Sequence, residues 1–471
     1  MKHYDVLIVG AGPMGIFTAF ELKVRNPTLQ VLLIDKGREV ENRHCPVSEG
    51  KLSQCPTDKS GYTGCKPCAM TCGFGGSGAF SDGKFNITSE FGGWLKEFID
   101  EDELLELIRY VDSINLRFGA PEHTTDPHTE EVLEIERRGI AKGLKLLRSE
   151  VRHFGTEVNL KVLKNIADEL RKNVDFMLNT EVEDIVVEDG QVRGVVLKDN
   201  RVIHGDYVVM GVGRTGSDWL NKTLASHGVA FTNNRVDIGV RVETNDLVME
   251  EINKHLYEGK FVYNTPIGTR VRTFCSNPSG HVVLENNNGV TLCNGHSFSD
   301  PAMQSHNTNF ALLVSHHFEE PFKNPNSYAM EIARLANQLS NGTVIVQRYG
   351  DIKRHRRSTP KRMSEGFVKP TLKEAVPGDL GLVLPFNTMQ SIIDMIEALD
   401  SVTPGIANEH TLFYGVEAKF YSDRPETDEN FETKIKHLYV GGDGAGLTRG
   451  LSQAGANGVY IAREIIKKEQ K

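Results

Sequence analysis

Apolar residues gather along this chain in short runs with two different periods. Tyr4-Asp5-Val6-Leu7-Ile8-Val9 is nearly continuous, the mark of a strand covered on both faces. Helical spacing follows to about Arg25, and Gln30-Val31-Leu32-Leu33-Ile34 predicts a second strand. Charged, amphipathic stretches predict helices over 101–118, 129–148 and 160–171. From Phe176-Met177-Leu178 onward the period drops to two. Residues 182–187, 192–198 and 201–204 alternate, with turn signals at Asp189-Gly190 and Asp199-Asn200, so an antiparallel meander is expected. Tyr207-Val208-Val209-Met210-Gly211 is apolar again and fits a central parallel strand. Residues 386–400 predict a helix, Leu438-Tyr439-Val440 a last core strand, and 452–468 a closing helix.

The order of these elements predicts an α/β chain. Its Rossmann-like domain, a parallel sheet plus the antiparallel meander, is expected to be discontinuous, over residues 1–95, 150–231 and 381–471. Residues 96–149 read as a helical insertion. Residues 232–380 read as a mixed α/β second domain that covers the first. At 471 residues the chain is long enough for this arrangement.

The first strand runs directly into Gly10-Ala11-Gly12-Pro13-Met14-Gly15, and the second ends in Asp35. Gly10 permits the tight strand-to-helix turn, Gly12 lets a pyrophosphate approach the backbone, and Gly15 lets helix and strand pack closely. The helix N-terminus offers unpaired N–H groups to phosphate. Asp35, followed by Lys36, stands about 20 residues past the last glycine, where a carboxylate accepts hydrogen bonds from an adenosine ribose. A second cluster, Val440-Gly441-Gly442-Asp443-Gly444-Ala445-Gly446, lies between the last strand and the closing helix. Such pairs occur in flavoproteins, where a late Asp holds the ribityl chain and a helix N-terminus faces the flavin. Asp443 suits the first role and the backbone of Gln453-Ala454-Gly455 the second, so FAD is the expected cofactor. Gly211-Val212-Gly213-Arg214-Thr215-Gly216 has similar spacing, but no strand ending in an acid follows at the right distance. It predicts cofactor contacts at the exit from the meander rather than a separate NAD(P) domain. A reduced nicotinamide donor, NAD(P)H, is expected to bind only transiently near the flavin. In the loop 73–84, glycines permit close backbone approach, Ser77 and Ser81 add donors, and Lys84 supplies a cation.

Four segments carry a family resemblance. They are Gly75-Gly76-Ser77-Gly78-Ala79-Phe80-Ser81-Asp82-Gly83-Lys84, Arg272-Thr273-Phe274-Cys275, Arg356-Arg357-Ser358-Thr359-Pro360 and the C-terminal Gly442-Asp443-Gly444-Ala445-Gly446. Together they resemble the FAD-dependent dehydrogenases described as NAD(FAD)-utilising, which are similar to the wider glutathione-reductase-type flavoproteins. The resemblance spans nearly the whole chain. It implies FAD, the fold, and oxidoreduction by hydride or electron transfer, but no particular substrate. That group often carries a second Cys two residues after the one at Cys275; Asn277 stands there in this chain. The expected cofactor contacts are Gly10, Gly12, Pro13, Gly15, Asp35 and Lys36; Gly75, Gly76, Ser77, Gly78, Ser81, Asp82 and Lys84; Val182; Gly211, Gly213 and Arg214; and Gly442, Asp443, Gly444, Gln453 and Ala454.

Five of the seven cysteines, Cys45, Cys55, Cys65, Cys68 and Cys72, fall within 45–72. Three readings stay open: a metal or iron–sulfur site on Cys45, Cys65, Cys68 and Cys72, a redox dithiol beside the flavin, or ordinary reduced thiols. The densest basic run is 353–362, in a chain of net charge -9. Arg356 and Arg357 there, with Arg272, are candidate contacts for an anionic substrate or for cofactor phosphates. A solvated, ion-paired run is the other reading. Arg241 and Arg270 are candidates for the same cavity, while His281 and His296 read as packing or surface groups. The negative net charge argues against general nucleic-acid binding. No apolar run reaches the ~20 residues of a membrane span. The first strand starts too early for a cleavable leader, so a cytoplasmic enzyme acting on a small molecule is expected. No catalytic acid or base and no oligomeric state can be read. Two other functions stay open: a tRNA-modifying flavoprotein using 353–362 on phosphates, and a non-redox protein with structural FAD.

Overall fold

The computed structural model describes residues 2–47, 49–52, 65–81, 83–256, 259–287, 289–298 and 300–470. Two large hydrophobic cores divide the described residues, with a smaller third cluster around Val346, Leu412 and Tyr414 beside the second. The first forms on a parallel sheet in the order Asp175–Met177, Val31–Ile34, Tyr4–Val9, Val202–Met210, Leu438–Val440. Strand Val202–Met210 serves two partners. Its first half pairs antiparallel with Gln191–Leu197, which continues to Val182–Glu188; its second half pairs in parallel with Tyr4–Val9 and Leu438–Val440. The polar residues His204 and Asp206, which divide this strand in the sequence pattern, mark the change of partner and not a break.

Helix Pro13–Arg25 has proline in its first turn, where the missing N–H costs nothing. It crosses helix Leu451–Glu469 closely, and Gly458 permits the approach: a Cβ there would lie 2.2 Å from the Met14 carbonyl oxygen. Helix Glu101–Arg117 lies on the same C-terminal helix, with Val111 against Gly455. Asp100 caps it by accepting from the amides of Asp102 and Glu103.

The second core forms on an eight-stranded sheet. Its order is Val376–Pro377, Ile345–Arg348, Leu412–Lys419, Val236–Asn245, Asn307–His316, Arg270–Asn277, Phe261–Asn264, Leu144–Leu146. Only the first pair is parallel. An antiparallel sheet of this kind lacks the βαβ crossovers on which a second nucleotide-binding fold would be built.

Two expected boundaries move. Residues 381–420 join the second domain, because Ile392, Met395 and Ile396 of helix Phe386–Leu399 and Phe413 and Val416 of strand Leu412–Lys419 lie in the second core. An apolar helix followed by an apolar strand suits either sheet, and only the pairing with Val236–Asn245 decides between them. The expected insertion 96–149 also divides. Leu104, Leu107, Ile108 and Val111 join the first core, while Val132, Ile135, Leu144 and Leu146 join the second. The helix expected over 129–148 ends at Ile140, and Leu144–Leu146 becomes an edge strand. Among the described residues no helix is long and apolar enough to cross a membrane.

Candidate cofactor and active site

A cavity of about 540 Å³ lies where the parallel strands end, and Val9, Ile34 and Gly211 contribute to its wall. The first glycine turn is built as its spacing requires. Gly10 holds φ +110, a conformation that disfavours any side chain, and its Cβ would meet the Gly211 carbonyl oxygen at 2.6 Å. A Cβ on Gly15 would lie 1.9 Å from the Gly10 carbonyl oxygen, so the helix could not rest on the turn. Gly12 faces the cavity with nothing within 4 Å of where its Cβ would stand. Gly213 is likewise open. Asp35 lines the cavity, and its two oxygens accept from the amides of Ala11 at 2.8 Å and Gly37 at 2.7 Å.

The loop after residue 72 lies over this turn. The Gly75 amide donates to the Ala11 carbonyl at 2.8 Å, and a Cβ on Gly76 would stand 3.2 Å from the Gly12 Cα. Arg43 ties the loop down from behind through the carbonyls of Ala69, Met70 and Phe74. On the far side, Gly442, Asp443, Gly450, Leu451 and Ala454 bring the last strand and the start of helix Leu451–Glu469 to the same cavity. Burial pushes the Asp443 carboxyl above the usual carboxylate range. The Thr448 hydroxyl, which donates at 2.6 Å, and the guanidinium groups of Arg214 and Arg449 pull the other way.

These three glycine segments and a helix N-terminus converge on one space with the shape and donors of a dinucleotide site. Residues 235–420 match the family described as FAD-dependent protein, C-terminal domain-like. Residues 146–247 match the family described as pyridine nucleotide-disulphide oxidoreductase. The two matches support an FAD-dependent oxidoreductase. An uncharacterized protein of Clostridium beijerinckii is 26% identical over 98% of this oxidoreductase and 80% of its own length. Among solved structures, glycine oxidase from Bacillus cereus is similar at 13% identity, covering 99% of this chain and 95% of that one, with a TM-score of 0.37. Glycerol-3-phosphate dehydrogenase from Bacillus halodurans, complexed with FAD, is similar at 12% identity, covering 99% and 65%, also with a TM-score of 0.37.

Most of the expected contacts of the oxidoreductase line the cavity: Gly10, Gly12, Pro13, Asp35, Lys36, Gly76, Ser77, Gly78, Ser81, Lys84, Val182, Gly211, Gly213, Arg214, Gly442, Asp443 and Ala454. Four stand behind the wall. Gly15 and Gly444 permit backbone contacts with Gly10 and Val212, Gly75 packs on Leu163, and the Gln453 amide donates to the Phe91 carbonyl at 3.0 Å. Asp82 and Cys55 lie outside the described residues.

The expected substrate arginines do not reach the cavity. Arg272 turns to Asp237 at 2.7 Å; burial alone would raise that carboxyl, but the guanidinium groups of Arg272 and Arg235 and the Ser315 and Tyr421 hydroxyls hold it low. Arg356 pairs with Asp351 at 2.7 Å, and Arg357 is exposed. Lys353 and Arg354 pair with Glu397 and Glu409, so the basic run is a solvated, ion-paired surface. Arg241 is fully buried, donating to Asn309 and to the Cys275 carbonyl. The four-thiolate metal or iron–sulfur site is also not formed. Among the described residues no group of three or more His, Cys, Asp or Glu side chains is arranged to hold a metal ion. Cys65, Cys68 and Cys72 share a cavity that Cys45 does not line.

Two second-domain side chains, Lys260 and Cys275, do line the cofactor cavity. Arg272 is held by Asp237, whereas Cys275 lies where the strand's register shifts between Phe274 and Asn277. Lys260 precedes a strand in no recognisable motif. Arg449 carried one usable signal, its place just before the closing helix.

Proposed function

We propose that this oxidoreductase holds FAD along the cavity, with Asp35 and Val182 at the adenosine end. Gly12, Gly213 and Arg214 meet the pyrophosphate, and Asp443 the ribityl chain. When bound, FAD supplies reversible two-electron chemistry by hydride transfer. The N-terminus of helix Leu451–Glu469 would favour negative charge developing beside it, and the second domain excludes water. The substrate we infer is a small anion. Lys84, Lys260 and Arg449 line the cavity, three cationic side chains within reach of an anion bound there. The presence of these three cations in the wall carries the reading. A nicotinamide dinucleotide that binds transiently is the proposed donor, in a cytoplasmic setting that supplies it.

Heat release and chromatography identify the flavin; FMN or a colourless chain after reconstitution overturns the cofactor assignment. Anaerobic mixing with NADH and NADPH tests the donor. A panel of small carboxylates, read as perturbation of the flavin spectrum, tests the anion site. Lys260→Ala is expected to weaken binding of any active carboxylate about tenfold or more, with flavin content retained.

A further inference from the structure

The second sheet has two unlike faces. Val236, Ile238, Val271 and Val314, on three neighbouring strands, point into the second core. Period-two alternation sets Asp237, Arg272 and Ser315 on the opposite face, where the Ser315 hydroxyl donates to Asp237 at 2.6 Å. Arg235 and Arg270 fall on that face by the same count. So does Lys260, two residues before Val262, which stands opposite Arg272 in register. Lys260 lines the cofactor cavity, so the polar face runs on into it.

Aromatic rings join this face to the cavity. The Arg235 guanidinium stacks on Trp94 and Tyr421, 5.1 and 6.0 Å from the ring centroids. Arg449, a cavity residue, stacks on Tyr421 at 4.4 Å. Charge on the face is uneven. Asp237 is fully buried and already engaged by Arg272 at 2.7 Å and by the Ser315 and Tyr421 hydroxyls. Among the described residues neither Arg235 nor Arg270 forms an ion pair. Burial first, and then the charges of Arg272 and Arg270, pull Arg235 below the ordinary guanidinium range, against the pull of Asp237. Its buried Nε–H has no acceptor in the protein. Arg270 is exposed at the start of its strand, which leaves the pair open to a ligand.

We propose that Arg235 and Arg270 form a second oxyanion subsite, and that the substrate is a dianion spanning it and the cofactor cavity. One oxyanion rests at Lys260 and Arg449; the other lies between the two guanidinium groups. This extends the anion reading given above and rests on it. Guanidinium forks hold an oxyanion through paired N–H donors, and a ligand charge between Arg235 and Arg270 removes their mutual repulsion. The stack on Trp94 and Tyr421 orients Arg235 before the ligand arrives. Arg272, matched by Asp237, takes no direct part.

The test uses the flavin-containing Trp219→Phe chain, in which Trp94 is the remaining tryptophan. Trp94 fluorescence reports the arginine subsite, and the flavin spectrum reports the cavity. Succinate, glutarate, adipate and suberate are titrated beside butyrate, valerate, hexanoate and octanoate, and phosphonoacetate beside acetate. For at least one pair the dianion should bind about tenfold tighter or more and move both signals. The pair that responds tells a carboxylate from a phosphate-like second group. Arg270→Ala should abolish the preference and leave monoanion binding unchanged, whereas Lys260→Ala should weaken both. Should Trp219→Phe lose flavin, the difference between the parent and Trp94→Phe gives the same signal. Equal affinities within every pair, or a preference that survives Arg270→Ala, would overturn the subsite. A flavin response with Trp94 silent overturns it too and leaves the cavity reading standing. A Trp94 response with the flavin silent keeps the subsite and removes the cavity reading.

Discussion

Gly10 and Gly12 stand two residues apart and fail in different ways when substituted. Gly10→Ala must place a methyl 2.6 Å from a backbone oxygen at a positive φ, so both fold and flavin binding should suffer. Gly12→Ala meets nothing in the empty protein, and its methyl projects into the cavity. The flavin-free Gly12→Ala chain should melt within about 1 °C of the parent while flavin affinity falls at least about tenfold. Parallel melting curves and flavin titrations check this. Asp237 is a second informative residue. Arg272→Ala removes its nearest guanidinium and should cost about 3 kcal/mol at neutral pH, because a buried charge loses its partner. The sign of the pH dependence is fixed by the lowered carboxyl. Its contribution is present above its unfolded value, about 4, and fades as pH falls through the folded value. Denaturant unfolding at stepped pH should therefore show the gap between parent and variant closing below about pH 4.

Among the elements, the crossing of helices Pro13–Arg25 and Leu451–Glu469 tolerates little change. Gly458→Ala sets a methyl 2.2 Å from the Met14 carbonyl oxygen, which no side-chain rotation relieves. The expected cost is about 2 kcal/mol with a parallel loss of flavin, since the same two helices begin at the cavity wall. Thermal melts with and without added FAD measure both. The elements that line the cavity were readable because each pairs a period with a glycine placed by backbone need, as at Gly10, Gly15 and Gly442. Strand Leu412–Lys419 was not assignable in the same way. Its neighbours in the sheet, Val236–Asn245 and Ile345–Arg348, lie far away in sequence, and nothing local distinguishes it from a strand of the first domain. Lys260 and Cys275 stayed hidden for a related reason. Their position at the cavity depends on how the second sheet meets the first domain, and no period or spacing encodes that.

For the molecule as a whole, the glycine turns of the first domain and Lys260 and Cys275 of the second line one cavity. Variants at Lys260 and Cys275 should change which small molecules react and leave the flavin-to-protein ratio unchanged, while Asp443→Ala should lower that ratio. Absorbance of purified protein beside a substrate screen distinguishes the two classes. The arrangement also has a consequence in time. The cavity is closed by Leu438–Val440 and Leu451–Glu469, although its first wall is laid down at Gly10. At about 5–20 residues per second, a nascent chain waits roughly 20–90 s between making its first phosphate-binding turn and its last. Throughout that interval a ribosome holds a half-written pocket. Bound flavin, with its yellow colour, is thus a receipt for translation that has run as far as Ala454.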